Sequence, residues 1–179
     1  MEPSELERFE AVVLPHLSAA YGLARHLTRD DADAEDVVQE SLLRAMKYFG
    51  GFRGTGATEG RAWVLAIVRN MSHTWRSRHG SKRTTTIQFD ETVHSEAAGG
   101  EHPGAMLERE ATRTALEQAI DALSPDLREV IVLREVEGLS YKEIGDVVGV
   151  PVGTVMSRLS RARGRLQRAL TEADQGRRQ

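Results

Sequence analysis

Hydrophobic residues recur along this chain every three or four positions, the spacing that aligns them on one face of an α-helix. Sustained alternation of apolar and polar residues, the pattern of a half-buried β-strand, is nearly absent. The pattern therefore predicts an all-α fold. We expect a first helix over residues 6–27 and a second that begins between residues 31 and 33. The apolar face of the second helix is made of Ala34, Val37, Val38, Leu42, Ala45, Met46 and Phe49.

A third helix is predicted over residues 61–79, after the glycine-rich stretch 50–60. Its apolar face carries Val64, Ile67, Val68, Met71 and Trp75, and another face carries Arg69, His73 and Arg76. The periodicity then stops, and residues 80–103 are polar and rich in Gly, Thr and Ser, as is typical of a linker. We therefore expect two small helical domains, over residues 1–80 and 105–179, joined by a flexible linker over residues 81–104.

Within the second domain, Ser124 is a suitable N-cap and Pro125 fits the first position of a helix over residues 126–136. The tail, residues 171–179, is expected to fray.

The end of the second domain has the pattern of a helix-turn-helix over residues 141–170. Ile144 lies on the apolar face of a short first helix, and Gly145 permits close approach of the second. Gly149 suits the left-handed residue that ends a helix, and Pro151 fits the first turn of the next one. A helix-turn-helix is therefore predicted here.

Charge is unevenly distributed, although the net charge is only -3. Residues 30–40 contain six acids and no base, and residues 61–83 contain six Lys or Arg and no acid. Residues 152–170 contain five arginines and no acid. An acid-free arginine helix suits the negatively charged major groove of DNA, so local charge indicates the partners better than the total does.

Several functional classes are disfavoured by composition. There is no cysteine, no long apolar run and no export leader, which predicts a cytoplasmic protein without membrane insertion of its own. No nucleophile with a base, phosphate-binding loop or dinucleotide motif is present, and the six histidines have no metal-site spacing. Asp33, Asp36 and Glu40 share one helical face, but without a histidine beside them a metal site is disfavoured. We therefore expect no enzyme, cofactor or metal.

Three segments occur in a distinctive order: the acidic helix start at residues 33–40, the tryptophan-containing helix at residues 61–70, and the terminal helix-turn-helix. In this order and spacing the chain resembles the extracytoplasmic-function (ECF) sigma factors of the sigma-70 family. The resemblance implies a sigma-2 domain over residues 1–80 and a sigma-4 domain over residues 105–179. It also implies that the protein directs bacterial core RNA polymerase to promoter DNA, and that an anti-sigma factor controls it by wedging between the domains.

In this family the acidic helix docks on the clamp helices of the polymerase's largest subunit. The residues expected to make that contact are Asp36, Gln39 and Glu40. An alternative interpretation is that Asp33 and Asp36 only cap the helix and complement its dipole.

The family also opens DNA at the minus-10 element and captures a base in a pocket. Phe52, Ile67 and Asn70 match the positions that form this pocket, with the loop over residues 53–60 around it. The alternative, which is compatible, is that Ile67 is core and Phe52 anchors the loop. The flanking positive side chains are expected to hold phosphates: Arg69, His73, Arg76, Arg78, Lys82 and Arg83.

The resemblance assigns the last helix to the minus-35 element, in the major groove. Helical spacing places Thr154, Ser157, Arg158 and Arg161 near one face. Of these, Ser157 and Arg161 match positions that contact bases, whereas Arg158, Arg163 and Arg165 are expected to hold phosphates. Met156 and Ser160 depart from the common family pattern, so the minus-35 sequence stays open.

Two other functions compete with this one. A sigma-mimic adaptor would sequester an anti-sigma protein without touching DNA, but it would not need the arginine helix or Asn70. A dimeric helix-turn-helix repressor would leave the acidic helix over residues 33–40 unexplained.

Overall fold

The computed structural model describes residues 3–54, 57–79 and 103–177, and every regular element in these ranges is helical. The described ranges contain eight α-helices: α1 (Pro3–Val13), α2 (Leu17–Thr28), α3 (Asp31–Tyr48), α4 (Ala57–His79), α5 (Pro103–Asp121), α6 (Pro125–Ile131), α7 (Tyr141–Val148) and α8 (Val152–Arg177). The predicted all-α class is confirmed. None of these helices is long and apolar enough to cross a lipid bilayer.

The first unit consists of α1 to α4, in which α2, α3 and α4 pack against one another. Leu23 of α2, Val37 of α3 and Val68 of α4 are buried between them. The start of α3 is fixed by Asp30, whose carboxylate accepts a hydrogen bond of 2.9 Å from the Asp33 N–H. That side chain satisfies a backbone donor that has no partner within the helix.

The second unit consists of α5 to α8, with α6 and α7 packed against α8. Val130 of α6, Ile144 of α7 and Leu159 of α8 are buried in its core. Ser124 is the N-cap residue of α6 and Pro125 lies in its first turn, as predicted.

The two units pack directly against each other, α4 against α7 and α2 against α6. Their buried apolar side chains belong to one hydrophobic cluster. Residues 80–102, which include most of the predicted linker together with Lys82 and Arg83, lie outside the described residues.

The structure corrects the prediction of a single first helix over residues 6–27. A 3₁₀ turn at Leu14–His16 separates α1 from α2. Pro15 explains the break, because it lacks a backbone N–H and disfavours the α conformation of the residue before it.

Other boundaries also differ from the prediction. Helix α4 begins at Ala57 instead of residue 61, since Ala57 and Glu59 favour a helical first turn. The segment predicted as one helix over 126–136 is α6 followed by a π-helical turn, Val132–Val136.

The expected fraying beyond residue 170 is also replaced by regular structure, because α8 continues to Arg177. Glu172, Ala173 and Gln175 are good helix formers, and no proline interrupts them. Met46 was assigned to the apolar face of α3, yet 42% of its surface is exposed.

Candidate polymerase and promoter interfaces

One face of α3 presents polar side chains to solvent. Ala34, Val37 and Ala45 turn inward, whereas Asp36, Gln39 and Glu40 are exposed. No hydrogen bond or ion pair within the described part of the chain engages these three side chains. They are therefore available to a partner, as the proposed polymerase contact requires.

The segment between α3 and α4 is anchored by aromatic side chains. Phe52 is only 8% exposed, and its ring centroid lies 4.8 Å from that of Trp63 and 5.9 Å from that of Phe49. Arg8 of α1 donates to the Phe52 carbonyl oxygen at 3.1 Å. In this state Phe52 therefore holds the loop against the core, so a base could reach its ring only after local rearrangement.

The other two residues assigned to the base pocket lie on α4. Ile67 is half-buried and packs against the hydrophobic cluster, and Asn70 is exposed. The Asn70 side-chain oxygen accepts a hydrogen bond of 3.3 Å from Arg69 Nη1. Trp75, one turn further along, is half-buried and stacks on the His79 ring at 4.3 Å.

The predicted helix-turn-helix is present. The Ser140 hydroxyl accepts from the Glu143 N–H at 3.2 Å while the Glu143 carboxylate accepts from the Ser140 N–H at 2.7 Å, which fixes the start of α7. Gly149 ends α7 with φ of 71°, a left-handed conformation that costs glycine little. A Cβ on Gly145 would lie 2.9 Å from the Val150 carbonyl oxygen, so only glycine fits where the turn passes α7.

Helix α8 presents part of the predicted DNA-binding face to solvent. Val155 and Leu159 are buried, as expected, and Ser157, Arg161 and Arg165 are exposed. The residues that depart from the family pattern, Met156 and Ser160, are exposed as well, along with Arg163, and Thr154 is half-buried. Arg163 Nη2 pairs with the Glu135 carboxylate at 2.6 Å.

Arg158 is the exception on α8, because its side chain is only 20% exposed. Its guanidinium contacts the Glu129 carboxylate at 3.3 Å and that of Asp126 at 3.8 Å. On α4, Arg69 and His73 also contact Glu129. Arg76 is half-buried on the same helix.

Two carboxylates were missed by the sequence interpretation, and both lie in the second unit facing the first. Glu129 of α6 is 1% exposed and binds Arg69 and His73 of α4. Glu137 is buried and pairs with Arg61 of α4 at 2.9 Å. The position of Glu129 between Leu127 and the apolar run 130–133 was a signal, since an acid within an apolar segment needs a partner when it is buried.

The neighbours of Glu129 keep it ionised. Burial alone would raise the pKa of its carboxyl group, but hydrogen bonds from His73 and Arg69 outweigh that effect and hold the pKa below its usual value. Within the described residues, no group of three or more His, Cys, Asp or Glu side chains is placed to hold a metal ion.

Comparison with known proteins relates both units to one family. The family model for Sigma-70 region 2 matches residues 12–82, and that for Sigma-70, region 4 matches residues 113–166. The RNA polymerase sigma-H factor of Pseudomonas aeruginosa is 34% identical over 165 residues, which are 90% of this chain and 86% of that protein. The ECF RNA polymerase sigma-E factor of Salmonella typhimurium is 35% identical over 136 residues, 73% of this chain and 70% of that protein.

A solved structure has a similar fold. The sigma factor RpoE of Bartonella quintana, in complex with the anti-sigma factor NepR, matches with a TM-score of 0.69 and 29% identity, over 92% of this chain and 98% of that chain. The fold, the helix-turn-helix and these matches together define a promoter-specificity subunit of RNA polymerase. The chain belongs to the ECF RNA polymerase sigma factors of the sigma-70 family. Proteins of this family are transcription initiation factors and not enzymes.

Proposed function

We propose that this sigma factor binds core RNA polymerase through α3, opens the minus-10 element with α4 and reads the minus-35 element with α8. The sigma-2 part is assigned to residues 1–80, the linker to residues 81–104 and the sigma-4 part to residues 105–179. The observation that carries the proposal is that one chain has both an exposed polar face on α3, made of Asp36, Gln39 and Glu40, and a well-formed helix-turn-helix near its other end.

Each surface has a distinct task under this proposal. Asp36, Gln39 and Glu40 contact the polymerase clamp, where charge and amide hydrogen bonding select the partner. Asn70 reads a flipped base near Ile67 and Phe52, and Arg69, His73 and Arg76 hold the adjacent phosphates.

The proposed contacts of α8 divide in the same way. Ser157 and Arg161 contact base edges from the exposed side of the helix, with Thr154 beside them. Arg158, Arg163 and Arg165 hold phosphates. Met156, which is 53% exposed, adds an apolar surface where it meets the groove.

Control by an anti-sigma partner belongs to the same proposal, and the support for it is the likeness to a sigma factor crystallised with its anti-sigma factor. A partner that wedges between the units has to replace the contact of α4 with α7. The cytoplasm is the proposed location, since bacterial RNA polymerase works there.

The test is transcription in vitro with purified core polymerase and a library of promoter sequences. We expect the chain to select promoters with two short elements, near minus-35 and minus-10, and core alone to select none. An adaptor that only captures an anti-sigma protein would give no promoter-dependent transcript, and a dimeric repressor would bind DNA without core polymerase.

A further inference from the structure

A single buried carboxylate, that of Glu129, accepts hydrogen bonds from three side chains of the two units. Arg69 donates from Nε to Oε2 at 2.9 Å and from Nη2 to Oε1 at 3.1 Å. His73 Nε2 also donates to Oε2 at 2.9 Å, and Arg158 Nη1 donates to Oε1 at 3.3 Å. Both oxygens of Glu129 are therefore used, and α4 is tied to α6 and α8 through one side chain.

The proposed function assigns all three side chains to DNA. Arg69 and His73 belong to the minus-10 surface, and Arg158 belongs to the minus-35 surface. The bidentate approach of Arg69 to a carboxylate is also the geometry in which a guanidinium binds a phosphate. Glu129 thus occupies the positions where the phosphates of both promoter elements would bind.

The distance between the two promoter elements excludes this arrangement on DNA. Roughly 25 base pairs separate minus-35 from minus-10, about 85 Å of B-form duplex at roughly 3.4 Å per base pair. In the structure Arg69 and Arg158 contact the same carboxylate. The chain must therefore separate its units before both elements can be bound.

We propose that Glu129 is an autoinhibitory clasp: its carboxylate holds the two DNA-binding surfaces together in the free protein and must release them before the promoter is engaged. The proposal rests on the assignment of Arg69 and Arg158 to DNA given above. Release requires a competitor for these side chains, which DNA phosphates supply, or a partner that binds one unit and draws it away, which core polymerase supplies through α3.

The clasp does not act alone. Glu137 pairs with Arg61 of α4, and Arg29, which follows α2, lies 3.8 Å from Asp121 at the end of α5. Loss of Glu129 leaves Arg69 and Arg158 close together without their shared counter-ion. Their repulsion then favours the open arrangement, while the remaining contacts still oppose it.

The test begins with a direct measure of the distance between the units in the full-length chain. The chain contains no cysteine, so Glu35→Cys on α3 and Gln167→Cys on α8, both at exposed positions, accept a pair of fluorescent labels for energy transfer. We expect a short distance for the parent chain and a larger one for Glu129→Gln. Adding core polymerase to the parent chain should increase the distance as well.

The second readout is binding of a labelled DNA duplex of about 30 base pairs at low salt, where phosphate contacts dominate. If the parent chain is open about one time in ten, Glu129→Gln should bind about tenfold more tightly, because the apparent affinity scales with the competent fraction. The matched control is Glu135→Gln. It removes the same charge from an acid that pairs with Arg163 inside the second unit, so it should leave the distance unchanged and alter affinity far less.

An unchanged distance in Glu129→Gln overturns the clasp, and so does an increased distance without tighter DNA binding. If Glu129→Gln does not fold, as judged by circular dichroism, Glu137→Gln serves as the second variant and should shift both readouts in the same direction. Promoter-dependent transcription by the parent chain with no effect of either variant contradicts the clasp and leaves the proposed function intact. Failure of the parent chain to support transcription contradicts the proposed function itself.

Discussion

Arg61 of α4 and Glu137, which follows α6, form an ion pair of 2.9 Å between residues 76 positions apart in the sequence. The same guanidinium also donates to the Glu137 carbonyl oxygen. Glu137 is buried, whereas Arg61 keeps about a third of its side chain exposed. This contact joins the two units beside the packing of α4 on α7.

The first prediction concerns the stability that this pair contributes. Arg61→Ala leaves a buried carboxylate without its partner, so the free energy of unfolding should fall by about 1–3 kcal/mol. Equilibrium urea unfolding measures the change. Glu135→Gln, which breaks an exposed pair, should stay within about 0.5 kcal/mol of the parent chain. Equal effects of the two substitutions would show that Arg61 and Glu137 contribute no more than a surface pair.

The second prediction separates base recognition from phosphate binding on α8. If Arg161 makes a bidentate contact to a base, Arg161→Ala should cost about 1–3 kcal/mol at one promoter position and relax the preference there. Arg165→Ala should instead weaken all sequences alike and reduce the salt dependence. Binding of minus-35 duplex variants at several salt concentrations measures both, and identical behaviour of the two variants would contradict the division of roles.

The third prediction tests strand opening at α4. Asn70→Ala should leave core binding and closed-complex formation nearly intact, because other surfaces provide those contacts, and should lower the yield of open complex. A template with a pre-melted bubble should restore the yield, since unpairing a flipped base costs a few kcal/mol and that cost is then removed. Permanganate footprinting reports the melted bases. Normal melting of duplex DNA by the variant would contradict the role of Asn70 in base capture and leave it as an ordinary surface amide.

The fourth prediction concerns pH. His26 lies in the groove between the units, lined also by Arg29 and Asp121. Burial lowers the pKa of its imidazole, and the nearby Arg25 charge lowers it further. As the pH falls, His26 is therefore protonated in the unfolded chain first, near the ordinary imidazole pKa of 6.5. Protonation of the unfolded chain lowers the free energy of unfolding, and this loss grows until the pH reaches the lower pKa of His26 in the folded protein.

Urea midpoints measured between about pH 7.5 and about pH 5 test this contribution. His26→Gln should make the decline toward low pH shallower than in the parent chain. An identical slope in His26→Gln would contradict the role assigned to burial of this imidazole.

Local sequence determined much of what could be predicted. Gly149 and Pro151 define the turn of the helix-turn-helix by their backbone preferences, and Ser124 marks the start of α6. These features depend only on residues adjacent in the sequence, so they could be predicted from it. Pro15 carried the same kind of information about the break between α1 and α2, and the apolar periodicity on both sides of it obscured that signal.

The contact between the units could not be predicted in this way. Glu129 and Arg69 are 60 positions apart, and neither the periodicity nor the charge of either helix shows that they meet. In the sequence, Arg69, His73 and Arg158 appeared only as side chains available to DNA phosphates. That a buried carboxylate engages all three depends on how the units pack, which is a property of the tertiary structure.

The central claim is that this chain works as a subunit of RNA polymerase through the exposed face of α3. Its most direct test is titration of the fluorescently labelled chain with core polymerase, comparing the parent with Asp36→Arg combined with Gln39→Ala. These side chains are exposed, so the double variant should keep its helical content by circular dichroism. We expect tight, saturable binding by the parent and a loss of affinity of at least about tenfold, or about 1.4 kcal/mol, in the variant. Absence of binding by the parent would contradict the account as a whole, and equal affinity of the two proteins would contradict the assignment of α3 as the docking surface.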